Sequence, residues 1–561
     1  MTISNTDQDP ESIDSVPNEH DNSNDTESTP LLKPPSAENW SPPQHFYLIE
    51  LAIFANVFLY GFDGTITAAT YAVISSDFDA ANTASWLTTS YLVTSTAFQP
   101  LYGRFSDIFG RRICFFVSTI TFAVGCLGCG LARNIVLLNI MRAVTGLGGG
   151  GLMTMATIVN SDMIPFKKRG MYQALQNSMF GFGAICGASF GGSIADSIGW
   201  RWCFLLQVPI SVLALVVGYL VIHNPMELHP VRTVSTLIRE PSTKQANKSA
   251  SWSTTRSKID ITGSLLLVTA LSIQLIGLSL GGNELPWSSP WVISSLILSI
   301  LLLITFLYIE KTTPAIPIIP LSQLTGRNPV AVQIANICAG TAAYAYLFTL
   351  PLFFQVVLLD SPTRAGARLA IPSLATPIGG VIAGVVMSRW GKLLTLVRVG
   401  AVLMTAGNGL VTSLGFWYAE WKYLVFIFPA NLGQGIIYPA ILFTTLASFG
   451  HADHAVSAST TYLLRSLGSV YGVAISASIL QNSLTTNLPL ALAGVPHQDE
   501  IINSIRHSVT ALRDLPPDIQ LKARLVYYDG LRWAFGASTG IAGLAVVASL
   551  FAYNAGFRNT H

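Results

Sequence analysis

The sequence predicts an all-α polytopic membrane protein. Three observations carry that prediction. Of 561 residues, 51% are hydrophobic and only 11% are charged, with a mean hydropathy of +0.51. A soluble domain carries about a quarter charged residues. Apolar runs of about 18 residues or more recur along the whole chain, each long enough to cross a bilayer as a helix. Between two of them lies one short polar turn, Gly103-Arg104-Phe105-Ser106-Asp107-Ile108-Phe109-Gly110-Arg111-Arg112. Its arginines cannot enter lipid, so they hold the turn at one membrane face.

Taken in order, residues 1–44 are rich in Asp, Glu, Asn, Ser and Pro, which reads as a disordered cytosolic tail. Glu27 stands four residues before the pair Leu31-Leu32. That spacing resembles the acidic dileucine signals read by sorting adaptors; chance is the alternative for so short a motif. Fourteen spans are expected, near 46–74, 85–103, 113–132, 135–159, 171–195, 202–222, 259–281, 290–309, 330–357, 366–388, 393–416, 422–448, 455–482 and 532–554. They divide into an N-terminal six-helix half (45–222), a cytosolic loop (223–258), two extra spans (259–310), a central and C-terminal half (311–482), a luminal loop (483–530) and a last span with a short tail (531–561). The luminal loop has room for amphipathic helices near 498–513 and 517–528. Basic residues concentrate in alternate short loops, which puts both termini in the cytosol.

The chain repeats itself. Gly384-x3-Ser388-Arg389-x-Gly391-Lys392 has the layout of Gly103-x3-Asp107-x2-Gly110-Arg111, with Ser388 in place of the acid. Gly433-Gln434-Gly435 matches Gly146-Leu147-Gly148, and Gly468-x3-Gly472 matches Gly183-x3-Gly187. Two six-span halves with two extra central spans result. Repeated halves mark transporters that open alternately to either side, with the substrate site at their interface.

The polar turn resembles the gating loop of the major facilitator superfamily, here with Ile108 where a basic residue is usual. Gly103, Asp107, Gly110, Arg111 and Arg112 are its candidate residues, and Asp107 can cap the next helix or pair with an arginine. The run Gly183-x3-Gly187-x3-Gly191-Gly192 puts glycines on one face of span 5 for close helix contact. It resembles the antiporter motif of that family, with Ala188 where Pro is usual. Asp63 in span 1, in Asp63-Gly64-Thr65-Ile66, and Trp200-Arg201-Trp202-Cys203-Phe204 resemble the fourteen-span proton-antiporter group. That match covers nearly the whole chain except the tail; the tail with its dileucine, the span 1 pattern and Tyr462-Leu463-Leu464-Arg465-Ser466-Leu467-Gly468 look like those of fungal vacuolar basic amino acid transporters.

An ionisable group inside a span is costly and marks function by default. Asp63 is expected to be the carboxylate deep in the membrane, and the resemblance gives Arg142 of span 4 a role in proton coupling. A structural Asp63–Arg142 pair is the other reading. Arg465 of span 13 raises the same question and leans structural. Cys126-x2-Cys129 lies in an apolar helix and reads as packing rather than metal or redox chemistry. His451 and His454 read as solvated loop residues. No G-x4-G-K-[S/T] loop occurs, so nothing in the sequence supports ATP drive.

The expectation is therefore no enzyme but a proton-coupled antiporter in the vacuolar membrane, multi-pass, moving amino acids, basic ones above all. It works without cofactor or metal. Its partners are a small-molecule substrate (an amino acid or cationic organic compound), protons, the bilayer and a sorting adaptor, with no nucleic acid. The alternatives are a plasma-membrane drug or toxin exporter and a non-transporting nutrient receptor.

Overall fold

The computed structural model describes residues 42–78, 86–222, 260–281, 285–313, 317–319, 325–449, 454–507, 512 and 515–553. Glu27, Leu31, Leu32, His451 and the loop 223–258 lie outside them. The helices of the first half are α1 (Phe46–Asp77), α2 (Trp86–Phe109), α3 (Arg111–Gly130), α4 (Ile135–Met163), α5 (Phe166–Ser197), α6 (Arg201–Leu205) and α7 (Gln207–Val221). Two follow between the halves, α8 (Ile261–Leu280) and α9 (Pro290–Thr312). The second half holds α10 (Arg327–Leu352), α11 (Pro362–Ser373), α12 (Ala375–Trp390), α13 (Leu393–Thr412), α14 (Glu420–Val425), α15 (Phe428–Ser448), α16 (His454–Ala491), α17 (Gln498–His507) and α18 (Pro517–Phe551).

Local chemistry sets several boundaries. Asn134 caps α4, its Oδ1 accepting from the Leu137 amide at 2.7 Å. Asp260 caps α8 through the Gly263 amide at 2.8 Å. Pro351 cannot donate to the helical ladder, and α10 loosens into a π-turn over Phe353–Val357 just beyond it.

The helix pairings occur twice. In the first half α1 packs on α5 and α7, α3 on α4 and α7, and α2 on α4. In the second, α10 packs on α16 and α18, α13 on α15 and α18, and α12 on α15. The repeat reaches single residues. A Cβ on Gly61 of α1 would lie 2.2 Å from the Phe180 carbonyl oxygen of α5, and one on Gly340 of α10 would lie 2.5 Å from that of Arg465 in α16. Gly61 and Gly340 are 279 residues apart, and Phe180 and Arg465 are 285 apart. Gly183 against Phe58 O and Gly468 against Ile337 O keep the same two offsets. At these crossings backbone meets backbone, which only glycine permits.

The halves join where α5 meets α12 and where α2 meets α16. Helices α8 and α9 pack on each other, and α8 lies over α2. Leu267, Leu271 and Leu275 of α8 share an apolar cluster with Val93, Ala97 and Leu101 of α2 and with Leu463 and Leu467 of α16.

Among the described residues, 12 helices are long and apolar enough to cross a membrane, against the fourteen expected. The difference falls on α2 and α5, which are 24 and 32 residues long but more polar. Ser95, Thr96, Gln99 and Ser106 of α2 and Gln173, Gln176, Gly183 and Gly187 of α5 are buried inside the bundle. The expected luminal loop 483–530 is largely helix. Helix α16 runs on to Ala491, and the stretch near 517–528 is the first part of one 35-residue helix, α18. Leu484 and Leu488 of α16 and Ala523 and Val526 of α18 are buried there. That burial extends both helices past the expected span ends.

Candidate functional site

Asp63 sits midway along α1 and is fully buried, as is Arg142 of α4, at 0% and 1% exposure. Arg142 Nη1 donates to Asp63 Oδ1 and Oδ2, at 2.8 Å each. Its Nε donates to the Leu87 carbonyl oxygen at 3.0 Å. The guanidinium carbon stands 4.6 Å from the Tyr91 ring centre and 5.6 Å from that of Phe204. Gln207 Nε2 completes the set, donating to Asp63 Oδ1 at 3.3 Å. Five helices thus surround one neutral ion pair. Such a pair survives in an apolar interior because each charge is both countered and hydrogen-bonded. Protonating Asp63 would remove the charge that holds Arg142 and free both groups to change partners.

Gln207, Tyr91 and Phe204 were not singled out from the sequence for this site. The readable signal was at Gln207, one amide within the apolar run of α6 and α7. Two further acids, Glu50 of α1 and Glu310 of α9, are also buried, at 4% and 5% exposure. Glu310 Oε1 accepts from the Ile319 amide at 2.6 Å.

The polar turn between α2 and α3 is a linked set of charges. Gly110 turns the chain with φ of 92°, a region side chains avoid. Arg111 Nη1 donates to Asp107 Oδ1 at 2.6 Å, and its Nε to Asp162 Oδ2 of α4 at 2.8 Å. Arg104 lies 3.7 Å from Asp107 and donates to the Pro317 carbonyl oxygen. Arg112 turns away, over the Tyr219 ring at 5.0 Å. Of the roles open to Asp107, pairing with Arg111 is the one seen. The start of α3 has no side-chain cap.

Beside this turn the halves are closed on each other. A Cβ on Gly103 would lie 2.3 Å from Ser459 Oγ of α16. The repeat-related contact is Gly384 of α12 on α5, where a Cβ would lie 2.8 Å from the Gly170 carbonyl oxygen. Thr157 Oγ1 and Tyr462 Oη are 2.6 Å apart, and Gln173 Nε2 donates to Tyr462 Oη at 3.4 Å. Arg169 Nη1 lies 3.1 Å from His454 Nδ1. The solvated reading of His454 is corrected by this contact. The residue starts α16 and is buried at 8% exposure.

The glycine face of α5 divides. Gly183 and Gly187 meet the α1 backbone, at 2.2 Å from Phe58 O and 2.4 Å from Phe62 O for an added Cβ. Gly191 is buried, and its carbonyl oxygen accepts from Cys203 Sγ at 3.6 Å. Gly192 has open space where a Cβ would be. At the far end of α1, Trp200 Nε1 donates to Asp77 Oδ2 at 2.9 Å.

Two repeated helical halves, glycine-lined crossings and an ion pair buried in the first half define a membrane transporter of small molecules. The Major Facilitator Superfamily profile matches residues 53–473, and the chain belongs to that family. It is 48% identical to vacuolar basic amino acid transporter 2 of Saccharomyces cerevisiae, over 74% of this chain and 86% of that one. It is 33% identical to the multidrug resistance protein fnx1 of Schizosaccharomyces pombe, over 92% and 94% of the two chains. The proton:xylose symporter XylE shares the fold at a TM-score of 0.55 and 16% identity, covering 90% of this chain and 94% of its own.

Proposed function

We propose that this transporter is an antiporter that exchanges protons for amino acids, basic ones above all, carrying them from the cytosol into the vacuole. The observation that carries the reading is the buried Asp63–Arg142 pair. A carboxylate with one counter-ion is a two-state device. Ionised, Asp63 holds Arg142 or a cationic substrate; protonated, it releases either. One acid serving proton and substrate in turn gives exchange without further machinery. The similarity to a vacuolar basic amino acid transporter supports the substrate and the membrane. The proposed topology crosses fourteen times, α2 and α5 included, with both termini cytosolic and the α2–α3 turn on the cytosolic face.

A second reading, drug or toxin export, is favoured by the similarity to a multidrug resistance protein. Uptake of labelled lysine, arginine and histidine into isolated vacuoles, with and without ATP to build the proton gradient, separates the two. Gradient-dependent accumulation is expected, and its absence for all three overturns the amino acid reading. The tail is proposed to sort the protein through Glu27, Leu31 and Leu32. Leu31→Ala with Leu32→Ala should move a fluorescent fusion to the plasma membrane, and an unmoved fusion overturns that role.

A further inference from the structure

We infer that Arg465 is the anchor for the carboxylate of the transported amino acid, an inference that rests on the amino acid reading above. Arg465 lies eleven residues into α16, roughly 16 Å along a helix that rises 1.5 Å per residue. That depth is about the middle of a bilayer core. Its guanidinium carbon stands 4.6 Å from the Tyr438 ring centre and 4.5 Å from that of Tyr462. Aromatic faces steady a cation. They leave its N–H donors unspent, and among the described residues the Arg465 side chain has no hydrogen bond or ion pair. The residue is also only partly buried, in contrast to Arg142. A guanidinium held at this depth with open donors is shaped for a planar two-oxygen anion, which it grips with two parallel bonds.

The repeat gives an independent reason. Position 465 in α16 corresponds to Phe180 in α5, and each lends its carbonyl oxygen to a glycine of the neighbouring helix. Phe180 fills its place by packing on Tyr60, ring centres 5.8 Å apart. An apolar side chain therefore satisfies this crossing. The charge at 465 is not needed to hold the helices together.

The site also lies within reach of the ion pair. Arg465 and Tyr462 of α16 and Tyr344 of α10 are electrostatic neighbours of Tyr60, which precedes Asp63 by less than one helical turn. An amino acid with its carboxylate on Arg465 would extend its cationic end along Tyr60 toward Asp63. The cation on one wall and the acid on the other then recognise the two ends of a basic amino acid.

The test uses the full-length protein in liposomes under an imposed pH gradient, with labelled lysine as substrate and unlabelled lysine or lysinamide, which lacks the carboxylate, as competitor. In the wild type, lysinamide should compete at least about tenfold more weakly, the worth of one charge-assisted pair. Arg465→Gln should raise the KM for lysine about 10–100-fold and change competition by lysinamide far less. Arg465→Lys, which keeps charge but loses the fork, should fall between. Equal competition by lysinamide in the wild type overturns the inference, and that arm needs no variant to fold. So does an unchanged lysine KM in Arg465→Gln, or equal loss for both compounds. A wild-type protein that moves no lysine, arginine or histidine overturns the amino acid reading itself and this inference with it. The wild-type uptake trace alone tells that failure from the others.

Discussion

The hydroxyls of Thr157 in α4 and Tyr462 in α16 lie 2.6 Å apart, one from each half of the molecule. Both residues are buried at 3% exposure. Beside them Gly103 meets the Ser459 side chain, Gly384 meets the Gly170 backbone, and Arg169 meets His454. Polar bonds of this kind are worth about 0.5–1.5 kcal/mol each, small enough to break once per transport cycle.

Tyr462→Phe removes the bonds to Thr157 and Gln173 and keeps the ring beneath Arg465. A loss of about 1 kcal/mol shifts a two-state balance roughly fivefold. Amides at the start of α16 should then exchange hydrogen faster in the purified protein. Unchanged exchange over 454–462 would show that these hydroxyls do not hold the closed state.

Gly103→Ala places a methyl group on Ser459, so the halves should fail to close beside the polar turn and transport should fall severalfold. Adding Ser459→Gly removes the atoms it strikes. The double variant should recover most of the wild-type rate. Failure of that rescue would move the defect away from the α2–α16 contact.

Asp107→Asn removes the charge that Arg111 and Arg104 share, while Arg111 keeps Asp162. The prediction is normal abundance and sorting with transport reduced about tenfold or more, since a charge-assisted bond worth about 1.5–3 kcal/mol is lost in one state of the cycle. A wild-type rate would leave the turn with a topological role alone.

Asp63→Asn keeps an acceptor for Arg142 but strands its charge, a cost of about 3–5 kcal/mol when a buried pair is broken. In protein shown to reach the membrane, accumulation driven by the pH gradient should disappear while substrate-for-substrate exchange continues. Accumulation with an unchanged dependence on the gradient would show that Asp63 does not carry the proton.

Much of this was legible in the sequence. Asp63 and Arg142 stand out because charges in apolar spans are rare, and the turn around Gly103 and Asp107 because it is short, basic and repeated. Hydropathy is weakest where helices face protein instead of lipid, and α2 and α5, both among the fourteen expected spans, are such helices. Helices α2 and α5 look weak as spans because polar and small residues line the bundle interior. His454 was misjudged for the converse reason: Asp453 and His451 beside it look solvated, but α16 begins at His454 and buries it against Arg169. Tyr91 and Gln207 could not be placed on Arg142 and Asp63 from spacing. Those contacts are made by helix crossings, which no local pattern encodes.

The Asp63–Arg142 pair carries no net charge, and that has an electrical consequence. A proton on Asp63 leaves the pair at +1 within the membrane field, where one charge is worth about 2.3 kcal/mol per 100 mV. A lysine docked there adds the same +1. Under the proposed exchange, one proton traded for one lysine moves no net charge, so an imposed voltage should leave lysine uptake unaltered. Neutral histidine traded for the same proton moves one charge, and its uptake should follow the voltage. A single ion pair would then make one transporter voltage-blind or voltage-sensitive according to its cargo.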